Sequence, residues 1–123
     1  MSQDCPFCPK QHRYILEHGA AAALFDSYPV NPGHILVVPK AHRRDLFECT
    51  PEEIRDMWTV VEMARELLEH QYHPEGYNVG ANVGAQAGQT IFHCHIHVIP
   101  RYIGDVEDPR GGVRRVKPAI KPY

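Results

Sequence analysis

The chain has no hydrophobic run long enough to cross a bilayer, and it has no surplus of charge of either sign. Residues 1–5 contain no apolar secretory core. The formal net charge is -2 at pH 7, and no repeat or linker divides the sequence. We therefore expect a cytoplasmic protein that binds neither membranes nor nucleic acid. Any site for an anion must be local.

Cysteine is sparse, and the four present are Cys5, Cys8, Cys49 and Cys94. In a secreted protein this even number would allow two disulfides. In a reducing compartment, a close pair such as Cys5 and Cys8 more often binds a metal ion or takes part in redox chemistry. Taken alone, the pair leaves these possibilities open.

The composition is typical of one folded domain. Of the 123 residues, 43% are hydrophobic and 23% are charged. A chain of this size buries roughly two thirds of its unfolded surface and folds without covalent crosslinks. We therefore expect a single domain over 1–123. Within it, residues 101–123 are rich in proline, glycine and arginine and form a C-terminal extension that is at least partly ordered.

One stretch carries clear signals for a helix. Thr50 is a capping residue, Pro51 suits the first helical position, and Glu53 completes a capping box. Apolar residues then recur with helical spacing: Ile54, Met57, Trp58, Val61, Ala64 and Leu68. The pattern predicts a helix that begins at Pro51, packs one face on a sheet and ends near residues 70–73.

The remaining apolar runs are typical of strands. Those at 14–17 and 20–25 predict a short hairpin, and the continuous run at 34–39 predicts a strand buried on both faces. Two more strands are expected at 77–83 and within 88–100. The order of elements and the short connections predict an α+β fold, in which an antiparallel sheet of about five strands carries one long helix on a face.

The segment 88–100 places histidine at every second position, at His93, His95 and His97. Because a strand has a side-chain period of two, the three imidazoles are expected to share one face, with Phe92, Cys94, Ile96 and Val98 on the other. Such imidazoles can bind a metal ion, can include a nucleophile with orienting neighbours, or can form a solvated face. Spacing alone does not separate the first two interpretations.

Two longer motifs carry a resemblance to a known family. Gly88-Gln89-Thr90, followed by the run from His93 to Ile99, resembles the signature of the histidine triad superfamily, in which three histidines alternate with apolar residues. Upstream, the run from Asn31 to His42 resembles that family's Pro-Gly-His strand followed by Pro-Lys. The order of the elements also matches, so the resemblance covers nearly the whole chain.

This resemblance implies a nucleotide phosphohydrolase or nucleotidyl transferase. Such an enzyme would act on dinucleoside polyphosphates or nucleoside phosphoramidates, and the resemblance slightly favours dinucleoside polyphosphates. His95 matches the nucleophile that attacks the α-phosphate, and imidazole is nucleophilic when neutral near pH 7. His97 and His34 match the residues that stabilise the developing charge. A backbone carbonyl is expected to fix the tautomer of His95.

The resemblance also implies a binding site for a purine nucleotide. Asp26 matches a position that binds the ribose hydroxyls, although a turn residue is an equally good interpretation. Asn82 matches a contact to phosphate oxygens. Gln89 and Thr90 match the loop that meets the phosphates. The arginine-rich tail either folds over the nucleotide or forms a solvated arm.

The pair Cys5 and Cys8 resembles the zinc-bearing branch of the superfamily, in which two later histidines complete the ligand set. The matching residues are His42 and His93. Two thiolates and two imidazoles form a closed, structural zinc site, which would leave His95 free of metal. No organic cofactor is expected, and the resemblance implies a homodimer.

Two rival functions remain. In one, His93, His95 and His97 all bind zinc in a metal-dependent hydrolase. In the other, the protein is a nucleotide-binding regulatory module with little turnover.

Overall fold

Five strands and one long helix make up the fold in this computed structural model, which describes residues 5–9 and 13–117. The helix is α1, Pro51–Gln71. The strands are β1, Leu16–His18; β2, Ala21–Phe25; β3, Ile35–Pro39; β4, Gly76–Gly80; and β5, Ile96–Arg101. They form one sheet in the order β1-β2-β3-β5-β4, and every neighbouring pair is antiparallel. The predicted α+β class is confirmed.

The start of α1 is fixed by the predicted capping box. The Thr50 hydroxyl accepts a hydrogen bond from the Glu53 N–H at 3.1 Å, and the Glu53 carboxylate accepts one from the Thr50 N–H at 2.8 Å. Arg43 donates to both oxygens of the same carboxylate, at 3.0 and 3.1 Å. This partner holds the pKa of Glu53 below its usual value, even though burial acts in the opposite direction. The charged form therefore ties the preceding loop to the helix.

The buried face of α1 differs from the predicted one at two positions. Met57, Val61, Ala64 and Leu68 are buried as expected. Ile54 and Trp58, however, are 38% and 54% exposed. For Trp58 the reason is geometric, since Val60 has the spacing of three and four residues from Met57 and Ala64 that a single helical face requires.

The sheet is buried on both faces at its centre. Alternate residues of β3 and β2 pack beneath α1, and the others pack against the N-terminal segment around Phe7. The prediction that β3 is buried on both faces is therefore confirmed. All three alanines of β2 are completely buried. Ala21 and Ala23 lie beneath α1, where their small side chains let the helix approach the sheet closely, and Ala22 lies on the opposite face.

The last strand is shorter than predicted. β5 begins at Ile96, so His93 and His95 precede it, and Phe92 is 44% exposed. Two hydrogen bonds explain the difference. The Cys94 N–H donates to the Arg43 carbonyl at 2.6 Å, and the Pro39 carbonyl accepts from the His93 side chain at 2.8 Å. Since these groups are already paired, the ladder between β3 and β5 stops before the first two histidines.

The chain beyond β5 folds back on the sheet. A short 3-10 turn, Gly112–Val116, contacts β4. Residues 1–4, from the stretch in which no secretory core was found, and residues 118–123 of the predicted C-terminal extension lie outside the described residues. No helix in the described parts of the chain combines the length and the apolar character needed to cross a membrane.

Removing the helix cap tests this account of α1. Thr50→Ala should lower the free energy of unfolding by about 1 kcal/mol, because the Glu53 N–H loses its acceptor. Thr59→Ala is the matched control, since the Thr59 hydroxyl only bonds back to the Arg55 carbonyl within the helix. Urea denaturation of both variants measures the difference. An equal effect of the two substitutions would contradict the capping role.

Candidate active site

Two of the predicted catalytic histidines lie side by side, one just before a strand and one in the neighbouring strand. His34 directly precedes β3, and His97 lies in β5, where it pairs with Leu36. His34 is buried, and its Nε2 lies 3.0 Å from Nδ1 of His97. Gly33, with a φ of 92°, allows the turn before His34, and a Cβ there would come within 2.8 Å of Leu68. The backbone thus positions the pair.

A chain of hydrogen bonds assigns the protons of these two rings. Nδ1 of His34 accepts from the Val30 N–H at 3.0 Å, so the proton of the neutral ring is on Nε2. That Nε2–H donates to Nδ1 of His97, which places the proton of His97 on its own Nε2. Burial is the main cause that lowers the pKa of both rings, and it lowers that of His97 to about 4. Near pH 7, His97 is a neutral donor.

Asp26 joins this pair as a third member. One carboxylate oxygen, Oδ2, lies 3.5 Å from Nε2 of His34, and the other accepts from the Tyr28 N–H at 2.9 Å. The residue therefore has both features considered from the sequence, a turn residue and a carboxylate at the site. Its negative charge raises the pKa of His34 and His97, but burial outweighs that effect.

His95 is held in a nucleophilic tautomer. Its Nδ1 lies 2.8 Å from the His93 carbonyl oxygen, which can only accept. Nδ1 therefore carries the proton, and Nε2 keeps an unshared electron pair. The ring is half-buried, with its centroid 5.0 Å from those of Phe7 and His97. This carbonyl is the acceptor expected from the sequence.

The four predicted metal ligands converge at one point. Nδ1 of His93 lies 3.3 Å from Sγ of Cys5, 3.6 Å from Sγ of Cys8 and 3.0 Å from Nδ1 of His42. Tetrahedral zinc, with bonds of about 2.3 Å to sulfur and about 2.0 Å to nitrogen, places its ligand atoms roughly 3.3 to 3.8 Å apart. The Nε2–H of His93 donates to the Pro39 carbonyl, which leaves Nδ1 free to bind metal. The donor set therefore fits zinc.

The metal group and the Asp26 group are separate. In the described part of the chain, the close sets of possible ligand atoms are Cys5, Cys8, His42 and His93, and Asp26, His34 and His97. His93 and His97 belong to different sets. Although the three histidines alternate in sequence, they do not converge on one point.

A cleft of about 380 Å³ opens beside His34 and His97. Its walls come from β4, from the loop after β4, from Ile99 and from the 3-10 turn Gly112–Val116. Asn82, predicted to contact phosphate, lines the cleft, while Asp26 and His95 do not. The tail thus contributes to a wall next to the histidine pair.

The remaining predicted residues lie in the loop before His93. Gln89 is 3% exposed, and its side chain accepts from the Gly84 N–H and donates to the carbonyls of Arg44 and Ile91. Its own N–H donates to the Gly84 carbonyl. Gln89 therefore braces the loop, which differs from the predicted phosphate contact. Thr90 is exposed and is not part of the cleft wall.

Two residues at the site were not predicted. Phe7 packs its ring edge against the rings of both His93 and His95. Its position between two cysteine ligands was a usable signal. Val30 contributes only its backbone N–H, to His34. A backbone contact of this kind leaves no trace in residue type.

Comparisons with known proteins point to one family. Residues 9–104 match the family described as HIT domain. A bis(5'-nucleosyl)-tetraphosphatase (asymmetrical) from Schizosaccharomyces pombe is 35% identical over 88 residues, which are 72% of this chain and 48% of that protein. A bis(5'-adenosyl)-triphosphatase from Dictyostelium discoideum is 33% identical over 103 residues, which are 84% of this chain and 69% of that protein. The chain spans about half the length of the first relative.

A solved structure agrees in both fold and sequence. A zinc-bound histidine triad family protein from Mycobacterium smegmatis superposes with a TM-score of 0.75 at 34% identity. The match covers 85% of this chain and 80% of that one. At 34% identity, the two chains are similar in sequence as well as in fold.

The lowered pKa of His97 predicts how stability depends on pH. An unfolded histidine has a pKa near 6.5. As the pH falls from about 6.5 towards 4, His97 becomes protonated in the unfolded chain but stays neutral in the folded chain. The unfolded state is stabilised by this extra proton, so the free energy of unfolding decreases. In urea denaturation over this range, His97→Gln should show a shallower decrease than the original chain. Parallel curves for the two proteins would contradict the assignment.

Proposed function

The chain belongs to the HIT domain family, and on that premise we propose that it cleaves dinucleoside polyphosphates, or nucleoside phosphoramidates, at an α-phosphate through a covalent intermediate on His95. The observation that carries the proposal is the tautomer of His95. Its Nδ1–H is held by the His93 carbonyl at 2.8 Å, and Nε2 is left as a nucleophile beside a neutral donor, His97. The names of the two relatives favour dinucleoside polyphosphates.

In the proposed reaction, Nε2 of His95 attacks the α-phosphorus. A nitrogen–phosphorus bond forms as the bond from phosphorus to the leaving oxygen or nitrogen breaks. The positive charge that develops on the imidazole is stabilised through Nδ1–H by the His93 carbonyl. The Nε2–H of His97 donates a hydrogen bond to the phosphate or to the leaving atom. Water then attacks the phosphorus: an oxygen–phosphorus bond forms, the nitrogen–phosphorus bond breaks and a water proton passes to solvent, which releases the nucleoside monophosphate and restores neutral His95. Another acceptor in place of water would give a transferase.

Three residues are proposed to hold a purine nucleotide substrate. Asp26 has a carboxylate oxygen directed towards His34, where it can accept from ribose hydroxyls. Asn82 lines the cleft beside His97 and offers an amide N–H to phosphate. Thr90, exposed in the loop before the triad, offers a hydroxyl. Gln89 acts indirectly, because it fixes the loop that carries Thr90.

We assign a structural zinc ion to Cys5, Cys8, His42 and His93. When bound, zinc would crosslink the N-terminal segment to the loop that carries the nucleophile. Closed coordination by four protein side chains would leave no position for a water molecule, so this zinc ion would not supply a metal-bound water to the reaction. The zinc-bound relative of the same fold supports the assignment.

Substituting single cysteines tests the zinc assignment. Cys5→Ser and Cys8→Ser should each abolish stoichiometric zinc, because one thiolate is lost from a four-ligand set. Cys49→Ser, at a cysteine outside that set, is the matched control and should keep the metal. Elemental analysis of the purified proteins measures zinc per chain. One zinc per chain in either ligand variant would contradict the assignment.

The separation of the two ligand groups argues against a metal-dependent hydrolase that uses His93, His95 and His97 together. It does not bear on the regulatory module, which differs from the proposed enzyme in turnover alone. The homodimer and the cytoplasmic location stay predictions from the resemblance and the composition.

Loss of the nucleophile separates these functions. His95→Gly should lower the hydrolysis of diadenosine tetraphosphate by about a thousandfold or more, because no other group can form the covalent intermediate. It should keep stoichiometric zinc, whereas the rival hydrolase would lose its metal. His70→Ala, at the exposed end of α1, is the control and should leave the rate unchanged.

Hydrolysis by His95→Gly at the original rate would overturn the covalent mechanism. Mass spectrometry of the original chain after rapid acid quenching provides a second readout. A mass increase of one nucleotidyl group, absent in His95→Gly, is the expected result. If the original chain binds AMP tightly without hydrolysing any adenine nucleotide tested, the regulatory module is the correct function.

A further inference from the structure

The segment after β5 is anchored by one carboxylate. Arg101 donates to both oxygens of Asp105 at 2.8 Å, and Asn31 donates to the same group at 2.8 Å. The Tyr102 N–H also donates to Asp105, at 3.0 Å, so the chain reverses direction directly after the strand. These partners hold the pKa of Asp105 well below its usual range. The reversal is therefore fixed at neutral pH.

The anchored segment brings the 3-10 turn Gly112–Val116 against β4. The turn lies beyond residue 104, where the match to the HIT domain family ends. It nevertheless forms a wall of the cleft that begins at His34 and His97. The part of the chain outside the family match is thus placed beside the reacting groups.

The cleft combines apolar walls with one cation. Val79 and Ile99 lie on the sheet side, and Val113 and Val116 lie on the turn. Both valines of the turn are exposed, at 61% and 80%, so their side chains are accessible to a ligand in the cleft. Arg115 lines the same cleft. An aromatic heterocycle fits such apolar walls, and a guanidinium group suits phosphate oxygens.

Arg115 is held in place yet keeps donors available. Its hydrogen bonds to described residues both use Nη1, which donates to the carbonyls of Asp108 at 3.1 Å and Arg110 at 3.4 Å. The Nε and Nη2 groups remain for an anion. Because the backbone bonds fix the guanidinium, less side-chain entropy is lost when it binds a phosphate.

The geometry points to a subsite for the leaving nucleotide. We propose that this cleft binds the departing half of a dinucleoside polyphosphate, with Arg115 on its phosphates and Val113 and Val116 against its nucleoside. The inference rests on the proposed function. Asp26, the residue proposed to hold the ribose of the retained nucleotide, lies outside the cleft wall, whereas Asn82, proposed to contact phosphate, lies in it. The retained ribose and the departing nucleoside therefore occupy different places, with the phosphates between them.

The test compares two substrates that share the retained nucleotide. Diadenosine tetraphosphate has a large, charged leaving group, and adenosine 5'-phosphoramidate has a small one. The ratio of their kcat/KM values measures recognition of the leaving group alone. In Arg115→Gln this ratio should fall by about tenfold or more, and Arg115→Lys should recover part of the loss. Val116→Asp should lower the ratio as well.

Arg55→Gln is the matched control, because Arg55 is an exposed arginine of α1 outside the cleft wall, and it should leave the ratio within about twofold of the original. A ratio that is equally unchanged in Arg115→Gln and Val116→Asp overturns the subsite and leaves the proposed function intact. An original chain that cleaves neither substrate overturns both.

Binding without turnover gives an independent readout. In the His95→Gly background, adding Arg115→Gln should weaken the binding of diadenosine tetraphosphate by about tenfold relative to the binding of AMP, measured by calorimetry. An equal loss for both ligands would mean that Arg115 contacts the retained nucleotide, and it would overturn the assignment to the leaving half.

Discussion

The imidazole and carbonyl of His93 are the groups on which the rest of the site depends. The completely buried ring donates from Nε2 to Pro39 and presents Nδ1 to Cys5, Cys8 and His42. The carbonyl of the same residue fixes the tautomer of His95. A shift of this one residue, backbone and side chain, would therefore move the metal group and the proposed nucleophile, His95, together. A ligand of the proposed zinc ion thus also orients the reacting residue, which is the usual task of groups around an active site.

Burial determines the protonation state of His34 and His97. His34 and His97 are neutral at pH 7 because desolvation outweighs the charge of Asp26. A neutral imidazole can donate a hydrogen bond without adding positive charge next to its neighbours. The hydrogen bonds run from the Val30 N–H to His34 and from His34 to His97, so the Nε2–H of His97 is left available for substrate. Positive charge for a polyphosphate comes instead from the tail. The site therefore separates proton placement, which the sheet provides, from charge, which Arg115 provides.

The sequence predicted the elements whose signals are local. The capping box located the start of α1, and the apolar run of β3 revealed a strand covered on both faces. The possible metal ligands and the histidine pair followed from the resemblance of the motifs, and the structure brings the members of each group close to one another. These features depend on residue type and spacing, which a sequence displays directly.

Other features depended on contacts between distant parts of the chain. The late start of β5 results from backbone bonds to Arg43 and Pro39, and the bracing role of Gln89 results from a carbonyl 45 positions away. The position of the tail beside the cleft depends on Asn31 meeting Asp105, 74 positions apart. The same distances have a consequence for how the protein is made. Cys5 is synthesised before His93, which follows 88 positions later, so the four-residue ligand group can assemble only after most of the residues of the sheet have been synthesised.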